Sequence, residues 1–115
     1  MEEIILIAKP ISKKELKDIA SKRFGDMVKA VVDLEKQILA AGGDLHADEE
    51  AFLLAQDSKQ ENLWGINLYP DMQLPDMLEF DSMINIRPRQ NNRSRSVESA
   101  EIQKQILEIV SKLIL

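Results

Sequence analysis

Four of the chain's five arginines, Arg87, Arg89, Arg93 and Arg95, lie within one nine-residue segment. The guanidinium group is planar and permanently charged, and its fork of donors matches the oxygen pairs of phosphates and carboxylates. The net charge of the whole chain is -5, so segment 87–95, here called the arginine loop, is a local basic island. We predict that this loop binds an anion such as a phosphate group. The alternative is that its arginines pair with the protein's own carboxylates or face water.

Two segments that precede the arginine loop alternate apolar and polar residues, as strands with one buried face do. Segments 62–69 and 79–87 are predicted to pair antiparallel, with Trp64 on the core face. The opposite, polar face leads into the arginine loop. The residues predicted to bind the ligand lie on that face or in the loop, and they are Asn67, Tyr69, Asn85, Arg87, Arg89, Asn92, Arg93 and Arg95.

His46 and Asp81 are the predicted catalytic residues if the protein is an enzyme. Either side chain could take a proton from a substrate, while the arginines stabilise the charge that develops. Asp81 also has a structural interpretation, because it could form a salt bridge with Arg87 on the same strand face.

The segment that begins at His46 reads His-Ala-Asp-Glu-Glu. In an extended chain His46, Asp48 and Glu50 share one side, where they could hold a divalent ion. The spacing lacks the two-histidine helical pattern of zinc proteases, and the chain has no cysteine to act as a ligand. We therefore predict no metal site and interpret Asp48 as a turn or capping residue. Because no glycine-rich phosphate loop or dinucleotide motif is present, no cofactor is predicted.

Charge and hydropathy argue against several classes of partner. General nucleic-acid binding favours a strongly basic domain, and this chain is acidic. No apolar stretch approaches the roughly 18 residues needed to span a bilayer. The first residues lack the positive leading region of a signal peptide, and without cysteine there can be no disulfide. We predict a cytoplasmic protein with no membrane contact.

The remaining periodicity predicts further elements along the chain. Residues 3–8 are a β-branched run typical of a buried strand. Ser12–Glu15 is a capping box that opens a helix, and the wide apolar face of residues 26–41 predicts a second helix. Residues 50–56 are assigned to a strand, with a helix as the open alternative because so short an apolar run fits both, and residues 99–113 to a final helix capped by a serine.

Together these elements predict a single α+β domain over residues 1–115. Its sheet is mostly antiparallel, with about four to five strands and three helices packed on one face. The last helix has more apolar residues than one core face needs, because Leu107, Ile114 and Leu115 widen its stripe. This excess makes a homo-oligomer through the C-terminal helix a candidate, and a tighter intramolecular fit is the alternative.

Several phrases of the chain resemble a family of small prokaryotic proteins known only as a domain of unknown function. The phrases are RFGDMVKAVVD at 23–33, GGDLHAD at 42–48, LWGIN at 63–67, FDSMINIRP at 80–88 and NRSR at 92–95. The resemblance spans nearly the whole chain. It implies a stand-alone bacterial or archaeal domain in the cytoplasm, and it carries no activity with it.

Three functions therefore stay open at the level of sequence. The first is a small anion-binding domain whose arginine loop clamps a phosphorylated or other acidic ligand. The second is a small hydrolase in which His46 or Asp81 is the base. The third is a protein-interaction module or homodimer without a small ligand.

Overall fold

The strands of the protein form one antiparallel sheet in the computed structural model, which describes residues 3–115. The strands are β1 Ile5–Ile7, β2 Val28–Asp33, β3 Ile38–Ala41, β4 Leu63–Leu68 and β5 Leu78–Glu79. The helices are α1 Lys13–Ser21, α2 His46–Leu54 and α3 Ala100–Leu113, and short 3-10 turns cover residues 60–62, 83–85 and 88–90. The strand order is β1-β3-β2-β4-β5, and every neighbouring pair is antiparallel.

Helices cover both faces of this sheet. Val32 and the β2 residues on the same face of the sheet pack against α1 and α3 in the main core. Val31 points the other way and packs with Leu53 of α2 in a second, smaller core. The predicted α+β class is confirmed, with an antiparallel sheet of five strands and three helices. The layering differs from the prediction of one covered face, because the sheet carries apolar side chains on both faces and α2 buries the second.

Residues 26–41, which were predicted to be a helix, form the hairpin of β2 and β3. Asp33 turns the chain, since its Oδ1 accepts hydrogen bonds from the backbone N–H groups of Glu35 at 2.9 Å and Lys36 at 3.0 Å. Gln37 then adopts a left-handed φ of 56°. Strand β2 is buried on both faces, so it lacks the alternation that marks a half-exposed strand. Its unbroken apolar run matches a helical face equally well, and the helix prediction was wrong.

Two of the predicted strands were also wrong. Segment 50–56 lies mostly in α2, because a short apolar run does not distinguish a strand from a buried helix. Only the first residue of segment 79–87 belongs to β5. The Ser82 hydroxyl then accepts a hydrogen bond from the Ile84 N–H at 3.3 Å and starts a 3-10 turn. Such a local bond competes with strand pairing, and Ile86, an apolar residue of the predicted strand, is exposed.

The other predicted elements are confirmed with small shifts at their ends. Strands β1 and β4 lie where alternation and β-branched residues placed them, and Trp64 is buried in the core. Ser12 caps α1 by accepting the Glu15 N–H at 3.1 Å. Ser99 caps α3 by accepting the Ile102 N–H at 3.2 Å. Within residues 3–115, none of the helices has the length and apolar character required to cross a bilayer.

Candidate functional site

An open pocket of about 500 Å³ lies on the α2 side of the sheet, and we call it the His46 pocket. Its walls come from β2, the start of α2, the end of β4, β5 and the segment that follows β5. The pocket brings together five of the residues predicted from sequence to bind or react, which are His46, Asn67, Tyr69, Asp81 and Arg95. These residues come from separate parts of the chain, so the fold itself creates the site.

His46 is the first residue of α2, and its ring is held by the sheet. The ring Nε2 lies 2.8 Å from the carbonyl oxygen of Ile66. Because a carbonyl oxygen can only accept, Nε2 carries the proton and the neutral ring has its lone pair on Nδ1. Burial lowers the pKa of His46, although the hydrogen bond to Ile66 and the neighbouring Asn67 side chain act to raise it. The ring is therefore mostly neutral near pH 7, as a general base must be.

Asn67 presents a buried acceptor that lacks a donor. Its Nδ2 donates to Glu79 Oε1 at 2.9 Å and to the Asp81 carbonyl oxygen at 3.2 Å. Both partners are acceptors, so the amide orientation is fixed. The other amide atom, Oδ1, is buried and finds no hydrogen-bond partner within residues 3–115. An unpaired buried acceptor costs about 1–3 kcal/mol, and a bound donor would relieve that cost.

Lys29 supplies a cation to the same pocket. It lies directly opposite Asn67 in the register of β2 and β4, so both side chains project from the same face of the sheet. The Lys29 ammonium sits 5.2 Å from the centroid of the Phe24 ring and, among the residues that the structure describes, forms no ion pair. Sequence analysis missed Lys29 because the segment around it was assigned to a helix.

The remaining charges of the pocket are paired with one another or with neutral donors. The Arg95 Nε donates to Asp81 Oδ1 at 2.7 Å, and both side chains are about half exposed. The Tyr69 hydroxyl donates to Glu79 Oε1 at 3.0 Å. Burial and this contact raise the pKa of Tyr69. The unpaired cation is thus at Lys29, while Arg95 and Asp81 form one wall.

Arg87, the predicted centre of anion binding, uses its guanidinium to hold backbone. Nε donates to the Ile84 carbonyl at 2.9 Å, Nη1 to the Gln60 carbonyl at 2.7 Å, and Nη2 to the Leu63 carbonyl. The group also lies 4.7 Å from the centroid of the Trp64 ring. Partial burial lowers its pKa. Few donors remain for a ligand, so this geometry gives Arg87 a structural role.

Asn85 and Asn92 also bind backbone groups. The Asn85 amide accepts from the Gly65 N–H at 2.8 Å and donates to the Gly65 carbonyl at 2.9 Å, as a neighbouring strand would. Asn92 Nδ2 donates to the carbonyl groups of Asn85, Ser94 and Ser96. Arg89 and Arg93 are exposed and do not line the pocket. The structure therefore places Arg95 alone of the four loop arginines in the His46 pocket.

The predicted cluster of His46, Asp48 and Glu50 does not form a single face. These residues lie on α2 rather than on an extended chain, and at about 100° per residue the middle one points away from the other two. Within residues 3–115, no group of three histidine, aspartate or glutamate side chains is arranged to hold a metal ion.

Comparison with protein families places the chain clearly. A family model described as "Protein of unknown function (DUF5674)" matches residues 5–113. The chain belongs to this family. The match confirms the resemblance to a family of unknown function, and the description of DUF5674 states no activity. No curated protein and no solved structure matches this DUF5674 chain.

Proposed function

We propose that the protein binds a small acid in the His46 pocket. The ligand has an anionic group that meets Lys29 and a hydrogen-bond donor that meets Asn67 Oδ1. Arg95 lies at the pocket wall, where its charge is paired with that of Asp81. A phosphate monoester in its singly protonated form has both an anionic oxygen and a hydroxyl donor, as does a small hydroxy acid.

The observation that carries this proposal is the unpaired oxygen of Asn67 in a pocket that is also lined by Lys29, which forms no ion pair among the described residues. Native proteins pair nearly all of their buried polar atoms, so an exception that borders a pocket calls for an explanation. A solvent-filled pocket of this size is within the range of about 300–1,000 Å³ that holds small ligands. The lysine is the matching cation, because an ammonium donates to phosphate and carboxylate oxygens.

The proposed anion site is therefore the His46 pocket rather than the arginine loop that was predicted from the sequence. Arg87, Asn85 and Asn92 support the wall through their backbone contacts. Arg89 and Arg93 remain solvent-facing charges outside the pocket.

A second candidate function is a small hydrolase that uses His46 as its base. Its support is the tautomer of the ring, since the bond to the Ile66 carbonyl leaves the lone pair on Nδ1. The negative charge of Asp81 acts to raise the pKa of His46, and the positive charge of Lys29 acts to lower it. The charges of Asp81 and Lys29 would therefore together set the basicity of the His46 ring in such an enzyme.

The test is a thermal-shift screen against inorganic phosphate, phosphate monoesters, nucleotides and small carboxylic acids, followed by calorimetry. A ligand that binds only the native state raises the melting temperature by mass action. We expect Lys29→Gln to weaken the best ligand about tenfold or more, the effect of losing a charged hydrogen bond. Arg89→Gln is the matched control, because it removes an exposed charge outside the pocket.

Two results would count against the proposal. An equal loss in Arg89→Gln would return the site to the arginine loop or reveal general charge attraction. Binding that survives Lys29→Gln undiminished would remove the pocket from consideration. Turnover of a phosphate monoester that disappears in His46→Gln, while binding persists, would favour the hydrolase over simple binding.

A further inference from the structure

Part of the lining of the His46 pocket is apolar, and two of its apolar residues are exposed. Met27, Leu45, Met83 and Ile84 line the pocket together with the polar groups already described. Leu45 is 55% exposed and Met83 is 64% exposed, which are high values for large apolar side chains. Scattered single apolar residues on a surface are ordinary. These two differ because they border the same pocket.

Both of these residues are held by ordered backbone. The Leu45 carbonyl accepts hydrogen bonds from the Asp48 and Glu49 N–H groups at the start of α2. Met83 begins the 3-10 turn that Ser82 caps. The exposed apolar surface is thus presented by fixed elements, and it lies in the same cavity as Lys29 and the Asn67 oxygen.

We infer that the ligand is amphipathic, with an acid group at Lys29 and an aliphatic tail against Leu45 and Met83. This inference rests on the function proposed above and adds the class of ligand. Lys29 selects the acid group because it forms no ion pair among the described residues. The apolar side chains of Leu45 and Met83 offer no polar partner to a second charged group. Methionine suits a flexible tail because its unbranched, polarizable side chain adapts to irregular shapes. Fully burying each methylene of such a tail strengthens binding by about fourfold.

The experiment measures affinity along two homologous series by calorimetry. The probes are n-alkyl phosphates from methyl to hexyl and 2-hydroxyalkanoates from glycolate to 2-hydroxyhexanoate, with inorganic phosphate as the acid group alone. We expect affinity to rise about two- to fourfold per methylene until the tail passes the edge of the pocket. We expect Met83→Ser to flatten this rise while leaving the affinity for inorganic phosphate or glycolate unchanged.

Met72→Ser is the matched control. Met72 is 50% exposed and lies outside the His46 pocket, so its loss should leave the rise intact. A short probe that binds through Lys29, with no gain along either series, overturns the amphipathic ligand and leaves the acid site standing. A rise that survives Met83→Ser places the tail elsewhere and also overturns the inference. If no member of either series binds, the acid site fails for phosphates and carboxylates, and the inference fails with it.

Discussion

The Asn67 side chain affects the protonation of the His46 ring. In the neutral ring, Nδ1 offers a lone pair, and the nearby Asn67 side chain offers an acceptor that has no donor of its own. A protonated ring nitrogen is a hydrogen-bond donor that such an acceptor favours, which explains why Asn67 acts to raise the pKa of the ring. Burial opposes that change more strongly, so the net pKa is lowered.

We expect acidification to destabilise the protein through this one histidine. The pKa of His46 is below its ordinary value of 6.5 because the ring is buried. Just below pH 6.5 the unfolded chain therefore binds more protons than the folded chain, and the free energy of unfolding rises with pH. The urea midpoint should fall as pH is lowered from about 7 towards the folded-state pKa, and it should be flat just above this window.

His46→Gln is the control for that measurement. A glutamine amide can still donate to the Ile66 carbonyl, but it does not titrate. The pH dependence should then disappear between about pH 6 and 7, where no ordinary carboxylate titrates. A wild-type midpoint that rises on acidification through this window would contradict a lowered pKa for His46.

The residue types of the site could be predicted from the sequence, but their partners could not. His46, Asp81 and Arg95 were singled out because their side chains carry charge or protons. Arg87 met the same criterion, yet the fold surrounds its guanidinium with backbone carbonyls. Nothing in the local sequence distinguishes an arginine that faces a ligand from one that binds carbonyl groups. Lys29 was missed because its relevance comes from its cross-strand partner.

At the scale of elements, the N-caps and the alternating strand β4 were predictable, and the burial of strands on both faces was not. Ser12 and Ser99 cap helices through bonds to residues three positions away, so the signal is local. Strand β4 was recognised from its alternation. In β2 the alternation is lost because Val31 packs under α2 while Val32 packs in the main core. Only the tertiary structure shows that both faces are covered.

Gly65 in β4 couples the sheet to the pocket wall. A Cβ atom at this position would lie 2.5 Å from the Ser82 Cβ. The Gly65→Ala change must therefore push away the segment that contains Ser82 and Asn85. Asn85 in that segment binds both the N–H and the carbonyl group of Gly65. We expect a loss of about 1–3 kcal/mol in the free energy of unfolding, as overpacking typically produces. Denaturant titration measures it.

A double-mutant cycle tests whether the Ser82 contact is the cause. Ser82→Gly removes the atoms that the new methyl group would meet, although it also removes the cap of the following turn. The double variant should lose clearly less stability than the sum of the two single variants. Additive losses in unfolding free energy would mean that the strain of Gly65→Ala lies elsewhere. Ile84 is one such place, because its Cγ1 would lie 3.1 Å from the new Cβ atom.

At the scale of the whole molecule, the end of α3 is joined to the segment before α1. The Ile11 N–H donates to the Leu113 carbonyl at 2.8 Å, and the Leu115 N–H donates to the Ile11 carbonyl at 2.9 Å. Two of the residues that widened the predicted apolar stripe are accounted for within the chain, since Leu107 packs against the main core and Ile114 is buried. The homo-oligomer through this helix stays a prediction. Of the three residues that widened the stripe, Leu115 is the one that stays exposed, with 70% of its surface accessible.

A pair of neighbouring substitutions separates the two interpretations of this end of the chain. If the apolar excess serves the intramolecular core, Ile114→Ala should cost about 2–4 kcal/mol of unfolding free energy, because it leaves a cavity. Leu115→Ala should change it by less than about 0.5 kcal/mol, as surface changes do. If α3 forms a homodimer, Leu115→Ala should instead lower the dimer fraction in sedimentation equilibrium and remove any dependence of the melting temperature on protein concentration. Wild-type protein that sediments as a monomer at every concentration would remove the basis for the homodimer and leave the intramolecular fit to explain the stripe.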